Sequence, residues 1–160
     1  MIFATIGTQL PFDRLIMPLD NWAARHKDVE VIAQIGKGEY IPEQIEWTRN
    51  MAPQAFRQQM ERCELVVAHA GMGSIITALE LGKRVIIMPR RVQYGEHRND
   101  HQLATAARLV HLNGLTVVQD AESLDAALTD PESRSCNASV SEAKPELIAA
   151  IRDFAGLEAA

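Results

Sequence analysis

His69-Ala70-Gly71-Met72-Gly73-Ser74 follows the apolar run Leu65–Ala68 and leads into a helix-prone stretch that stops at Gly82. A strand that passes through a glycine-rich turn into a helix leaves the first backbone N–H groups of that helix unbonded. They lie at the positive end of its dipole. Glycines let an anion come close to that backbone, and Ser74 is placed to cap the helix and offer a hydroxyl. Such a turn suits a diphosphate and needs neither a Walker lysine nor a metal. The same glycines also fit a tight turn with no ligand, and a histidine at a strand end is often a satisfied polar residue. The segment alone leaves both readings open. It is not a P-loop, because no Gly-x4-Gly-Lys-Ser/Thr string occurs, and it is not a dinucleotide fingerprint, because the third glycine position holds Ile76.

A second polar segment, Pro89 to Gln102, also follows an apolar run and is long for a connection in a compact domain. Asn99 or Asp100 can cap the helix that begins there, which puts Gln102 in its first turn. His97 and His101 are four apart, the spacing of two metal ligands on one helix face. No glutamate completes an H-E-x-x-H string and His97 falls before the helix, so no metal set is expected. A third segment, Gly7-Thr8-Gln9-Leu10-Pro11-Phe12-Asp13, can close over a phosphate through Gly7 and Thr8, or be a plain strand-to-helix turn.

Short β-rich runs alternating with helical stretches must position these segments. Strands are expected at 2–6, 29–35, 45–51, 65–68, 85–88 and 115–118. Helices are expected at 12–26, with Pro18 kinking or restarting the first, and at 53–62, 74–81, 99–112 and 121–128. That alternation predicts an α/β fold: a mostly parallel, Rossmann-like sheet with helices on both faces, binding ligands at the carboxyl ends of its strands. All three polar segments fall there. Residues 1–130 read as this domain and 131–142 as a polar loop, whose Asn137-Ala138-Ser139 matches a glycosylation pattern by chance. Residues 143–160 read as an amphipathic helix that packs on its own domain or on a partner.

The totals narrow the classes. With 160 residues, 47% hydrophobic and 23% charged, the chain has the size and composition of one folded domain. A net charge of −5 disfavours nucleic acid as a partner, although Lys83, Arg84, Arg90 and Arg91 gather positive charge locally. Two cysteines in no zinc spacing fit a reduced, cytoplasmic setting. The short apolar start lacks the features of a signal peptide, and no stretch has the length of a membrane span.

Taken in order, Gly7-Thr8, Phe12-Asp13-Arg14-Leu15, His69-Ala70-Gly71-Met72-Gly73-Ser74, Gly82-Lys83, Pro89-Arg90 and Asn99-Asp100-His101-Gln102 resemble the C-terminal domain of the family 28 glycosyltransferases of the GT-B fold. The resemblance covers roughly residues 2 to 118 and is greatest to small single-domain members. These include bacterial exopolysaccharide glycosyltransferase subunits and the catalytic subunit of the two-subunit UDP-N-acetylglucosamine transferase of dolichol-oligosaccharide synthesis. It implies one half of a GT-B enzyme that binds a UDP-sugar donor, with no metal or other cofactor. It implies that His69, as the catalytic candidate, and Gly71, Met72, Gly73 and Ser74 face the diphosphate and sugar. Asn99, His101 and Gln102 would approach from the other loop, and Gly7 and Thr8 would line the cleft floor. Where many members hold the ribose with a glutamate, this chain has Thr77, with Glu80 one turn later. Because a GT-B cleft lies between two such domains, the resemblance further implies a second, membrane-associated subunit. That subunit would carry a polyprenyl-diphosphate-linked acceptor, and this chain would be peripheral to the membrane through it. Other readings are a non-catalytic UDP-sugar-binding subunit, an epimerase-like enzyme lacking its substrate domain, and a hydrolase with a metal on His97 and His101.

Overall fold

A computed structural model describes residues 1–134. The expected helix at 143–160, Asn137 and most of the 131–142 loop lie outside the described residues. Of that loop, Pro131–Arg134 forms a short helix, α6, rather than irregular chain.

Six strands build one sheet: β1 Ile2–Thr5, β2 Val31–Gln34, β3 Glu46–Thr48, β4 Leu65–His69, β5 Arg84–Met88 and β6 Leu115–Val117. Their spatial order is β3-β2-β1-β4-β5-β6, and every pairing is parallel. Each strand is joined to the next through a connection across one face. α1 (Asp13–Arg25), α2 (Pro53–Arg62), α3 (Met72–Glu80), α4 (His101–Leu109) and α5 (Ala121–Thr129) supply the helices.

The central strands β1, β4 and β5 are mostly apolar because both faces are covered. Alternate residues feed two cores. Ile2, Ala4, Leu65, Val67, Ile86 and Met88 join Leu15, Ile16, Leu19 and Trp22 of α1 and Leu124 and Leu128 of α5. Phe3, Val66, Ala68, Val85 and Ile87 join Met60 of α2, Ile75, Ala78 and Leu79 of α3, and Ala106 and Leu109 of α4. Trp22 is wholly buried, and its indole N–H donates to Thr129 Oγ1 at 3.2 Å, fixing α1 against α5.

The helix does not restart at Pro18: α1 runs unbroken through it from Asp13 to Arg25. A proline there removes one backbone donor, and the buried face of α1 before and after it packs into one continuous core. The first of the two sheet edges, β3, is only three residues long and mostly exposed, shorter than the expected 45–51.

Asp20 is a carboxylate buried on α1, at 2% exposure. It accepts hydrogen bonds from Tyr40 Oη at 2.7 Å, Glu43 N at 3.0 Å and Gln44 N at 2.8 Å, pinning the β2–β3 connection to the helix. Asp20→Ala is expected to destabilise the protein by about 3 kcal/mol, seen as a lower urea midpoint at unchanged slope. The hydrogen bond to Asp20, then burial, then the negative charges of Asp20 and Glu43 push the Tyr40 hydroxyl up from 10.0 to about 12. Because the folded value is the higher one, this contribution to stability is complete below 10.0 and is lost as pH rises towards about 12. Ultraviolet titration of tyrosinate should show that late transition, and Asp20→Asn should move it earlier.

Candidate functional site

The strand order reverses between β1 and β4, and an open parallel sheet leaves a crevice beyond the carboxyl ends of its strands at such a point. Three segments meet in it: Ile6–Leu10 after β1, His69–Gly71 at the end of β4, and Pro89–Asp100 after β5. Ile6, Gly7, Thr8, Gln9, Leu10, His69, Arg90, His97 and Gln102 line a cavity of about 230 Å³. It continues, past His97 and Gln102, into a cleft of about 650 Å³ between the start of α3 and α4, bordered by Gly71, Met72, Asp100, His101 and Arg108.

The residues singled out in the sequence divide accordingly. Gly7, Thr8, His69 and Gln102 meet in the smaller cavity. Gly71, Met72, His101 and Gln102 border the larger one. Gly73, Ser74 and Asn99 line neither cavity. Gly73 is exposed in the first turn of α3 and has open space where a Cβ would stand. Asn99 is exposed, and its side chain accepts from His101 N at 3.2 Å. Ser74 does not cap α3. The helix begins two residues earlier, at Met72, with Gly71 at the N-cap and no side-chain cap bond. Gly71 N donates to His69 O at 2.8 Å, so the chain is already turned when Met72 starts the helix. The first turn therefore presents the N–H groups of Met72, Gly73 and Ser74, which have no acceptor within the helix. α4 likewise starts at His101, later than expected, so His97 and His101 do not share a helix. Among the described residues no three His, Cys, Asp or Glu side chains cluster as metal ligands.

His69 lies half-buried with its ring between two glycines. A Cβ on Gly71 would come within 2.1 Å of His69 Nε2, and one on Gly7 within 3.0 Å of Cε1. Nδ1 lies 3.5 Å from the Thr5 carbonyl, a long contact that favours the proton on Nδ1 and leaves Nε2 as the acceptor. Burial first, then the positive charge of Arg90, push this imidazole down from 6.5 to about 4; the Thr5 carbonyl opposes them, and His97 lowers it a little further. His69 is therefore neutral at neutral pH.

Sequence reading did not assign a role to the residue that holds these loops together. Arg90, 3% exposed, donates from Nη1 to Pro11 O (2.6 Å) and Glu96 O (3.2 Å), and from Nη2 to Ile6 O (2.7 Å) and Leu10 O (2.8 Å). Its backbone N–H donates to Gln102 Oε1 at 3.0 Å, which ties α4 to the same point. The guanidinium also sits 4.8 Å from the centre of the Phe12 ring. Burial pulls its pKa down to about 10, partly offset by Glu96, so it stays charged. Glu96 in turn takes two bonds from Arg14, at 2.7 and 2.9 Å, and one from Arg91 N at 2.9 Å. Arg14 also reaches Pro89 O and Gln119 O, both at 2.8 Å. Both arginines lie inside strings already singled out, Phe12–Leu15 and Pro89-Arg90, which was the available signal.

Two outcomes are expected from this geometry. The folded value of His69 lies below the unfolded one, so its contribution to stability is complete above about 6.5 and falls as pH drops towards about 4. Histidine NMR should show one imidazole neutral down to about 4. Gly71→Ala should cost about 1–3 kcal/mol because the new methyl collides with His69, whereas Gly73→Ala should leave thermal stability unchanged or slightly higher.

The glycosyltransferase family 28 C-terminal domain matches residues 1–155. The human UDP-N-acetylglucosamine transferase subunit ALG13 is 29% identical over 119 residues, covering 68% of this chain and 10% of that protein. The Yarrowia lipolytica subunit of the same name is 23% identical over 140 residues, covering 78% of this chain and 67% of the other. Among solved structures, the glycotransferase of kitacinnamycin superposes with a TM-score of 0.66 at 21% identity, over 98% of this chain and 43% of that one. The solution structure of ALG13 superposes with a TM-score of 0.61 at 17% identity, over 94% and 96% of the two chains. The chain thus spans 10% of the human relative's length and 43% of the kitacinnamycin enzyme's. These structural likenesses establish the architecture, a Rossmann-like half of the GT-B fold.

Proposed function

Because the chain belongs to the glycosyltransferase family 28 C-terminal domain family, we propose that it is the donor-binding and catalytic subunit of a UDP-sugar-dependent glycosyltransferase that extends a lipid-linked glycan in polysaccharide biosynthesis. The observation that carries this reading is the meeting of four features at the β1–β4 switch point. They are the Gly7–Thr8 loop, neutral His69, the open first turn of α3, and Gln102 held by Arg90.

In this reading the diphosphate rests against the N–H groups of Met72, Gly73 and Ser74, where the absence of a side chain at Gly73 leaves room for it. Gly7 and Thr8 lie beneath the sugar and phosphates, and Asn99, His101 and Gln102 face the donor from α4 and its approach. The bond from the anomeric carbon to the diphosphate oxygen breaks, the acceptor oxygen bonds to that carbon, and the acceptor's hydroxyl proton passes to a base. Charge develops on the departing UDP, and fixed backbone donors and the α3 dipole stabilise it there without a metal. His69, neutral and with Nε2 unprotonated, acts as a hydrogen-bonding group beside the donor.

The described residues make one Rossmann-like half, and the relatives are named as subunits. A second, membrane-associated subunit accordingly supplies the other wall of the cleft and the polyprenyl-diphosphate-linked acceptor. In this reading the chain is cytoplasmic and held at the membrane by that partner; among the described residues no helix is long and apolar enough to cross a membrane.

A second reading, a subunit that binds UDP-sugar without catalysing transfer, is favoured by Thr77. Its hydroxyl donates to Gly73 O at 2.8 Å, so its own helix already engages it at the position where a ribose contact was sought. Calorimetry with UDP and a panel of UDP-sugars, with and without EDTA, separates the possibilities. We expect EDTA-insensitive binding, weakened about tenfold by Gly73→Ala. Turnover by the assembled pair should fall about a hundredfold in His69→Ala. Absence of UDP binding to the assembled pair would sink the donor reading, and binding without transfer would favour the second.

A further inference from the structure

Beside the smaller cavity, and sharing Thr8, Gln9, Leu10 and His97 with it, lies a third cavity of about 450 Å³ that is also lined by Lys37 and Arg98. Nearby arginines are all engaged: Arg14, Arg49, Arg90 and Arg91 bond to carbonyls or side-chain oxygens. Among the described residues, Lys37 and Arg98 alone of the cations lining this cavity have no hydrogen-bond or ion-pair partner for their side chains. Two cations lining one concavity, without a partner among the described residues and in a chain of net charge −5, form a local positive potential.

Both loops that carry them are rigidly held from beneath. Lys37 sits between Gly36 and Gly38, and Arg49 Nη1 donates to the carbonyls of both, at 3.1 and 2.9 Å. Gly36 has φ +49°, and a Cβ there would lie 2.8 Å from Gly7 O, so the turn is pressed against the first loop of the site. Asp13 Oδ2 accepts from Glu39 N at 3.1 Å and fixes the turn's far end. Arg98 follows Glu96 and His97, a stretch held by Arg90 and Arg14 through the carbonyl and carboxylate of Glu96. Loops braced in this way fix where their cations can reach, which a merely solvated lysine or arginine does not require.

We propose that Lys37 and Arg98 form a second anion subsite, contiguous with the donor cleft through His97, that holds a phosphate of the acceptor substrate. The inference rests on the glycosyltransferase reading for the identity of its ligand; the existence of an anion site there does not. A phosphate in this cavity would adjoin the donor cavity, since Thr8, Gln9, Leu10 and His97 border both.

The test is calorimetric titration of the full chain with inorganic pyrophosphate after saturation with UDP. A second binding event is expected, and the double variant Lys37→Ala/Arg98→Ala should weaken it about tenfold or more while leaving UDP affinity unchanged. Amide NMR shifts at Lys37 and Arg98 should follow pyrophosphate and not UDP. No pyrophosphate binding, or binding undiminished in the double variant, overturns the proposal. If UDP itself does not bind, pyrophosphate is titrated into the free protein and the same variant comparison decides. In that case the donor reading fails separately from this one. Sedimentation with phosphatidylglycerol vesicles is the second arm. Vesicle capture that the double variant abolishes, without any response to pyrophosphate, would assign the cations to a lipid surface and overturn the acceptor subsite.

Discussion

Arg90 is a full positive charge withdrawn from water at the carboxyl edge of the sheet, and four backbone carbonyls take the place of the lost solvent. An unpaired buried charge costs several kcal/mol, so such a group persists only where its donors are nearly all satisfied. Three of those carbonyls belong to the loop after β1, and one to the loop after β5. Without the guanidinium these four carbonyls would lose its N–H donors. The guanidinium ties them into one unit, and Arg14 and Glu96 extend that unit to the start of α5 through Gln119.

The chemistry of His69 follows from that arrangement. The nearby cation and the burial disfavour an imidazolium, and the two glycines flanking the ring reserve its space. The glycines of the Gly71-Met72-Gly73 string therefore have different causes. Gly71 is required by the histidine, whatever binds. A Cβ on Gly73 would meet nothing, so packing among the described residues does not account for it. A single motif in the sequence turns out to contain one residue that shapes the protein and one that leaves room for something else.

The central strands were legible because each is an uninterrupted apolar run, the consequence of helices on both faces, and α2 was found to the residue from Pro53 and Arg62. Boundaries set by backbone contacts were not. α3 begins at Met72 because Gly71 bonds back to His69, and no residue type announces that. The one-turn 3-10 helix Val92–Tyr94 was likewise invisible, since it ends on Gly95 with φ +68° and starts where Asp100 accepts from Val92 N. Thr8, His69 and Gln102 could be drawn from their places after strands. Arg90 could not be recognised as a buried clamp, because its acceptors are carbonyls, which every residue has. Only their convergence in space makes them a site for a cation.

The register of the sheet also bears on how the protein comes to be made. β1 must pair with β4, matching Ile2 with Leu65, and then the loop after β1 must find Arg90, which lies 84 residues beyond Ile6. During vectorial synthesis the first strand and α1 emerge with their main partner strand and their clamping cation still untranslated. Contacts so distant in sequence are slow to close, and the exposed edge of β1 is a target for wrong pairing until they do. β2 protects one side of β1 early, through the pairing of Ile2 with Val31. The other side, the one beside the crevice, stays open until the ribosome has moved past β4. A ligand at that crevice can therefore recognise only chains in which both halves of the sheet have met.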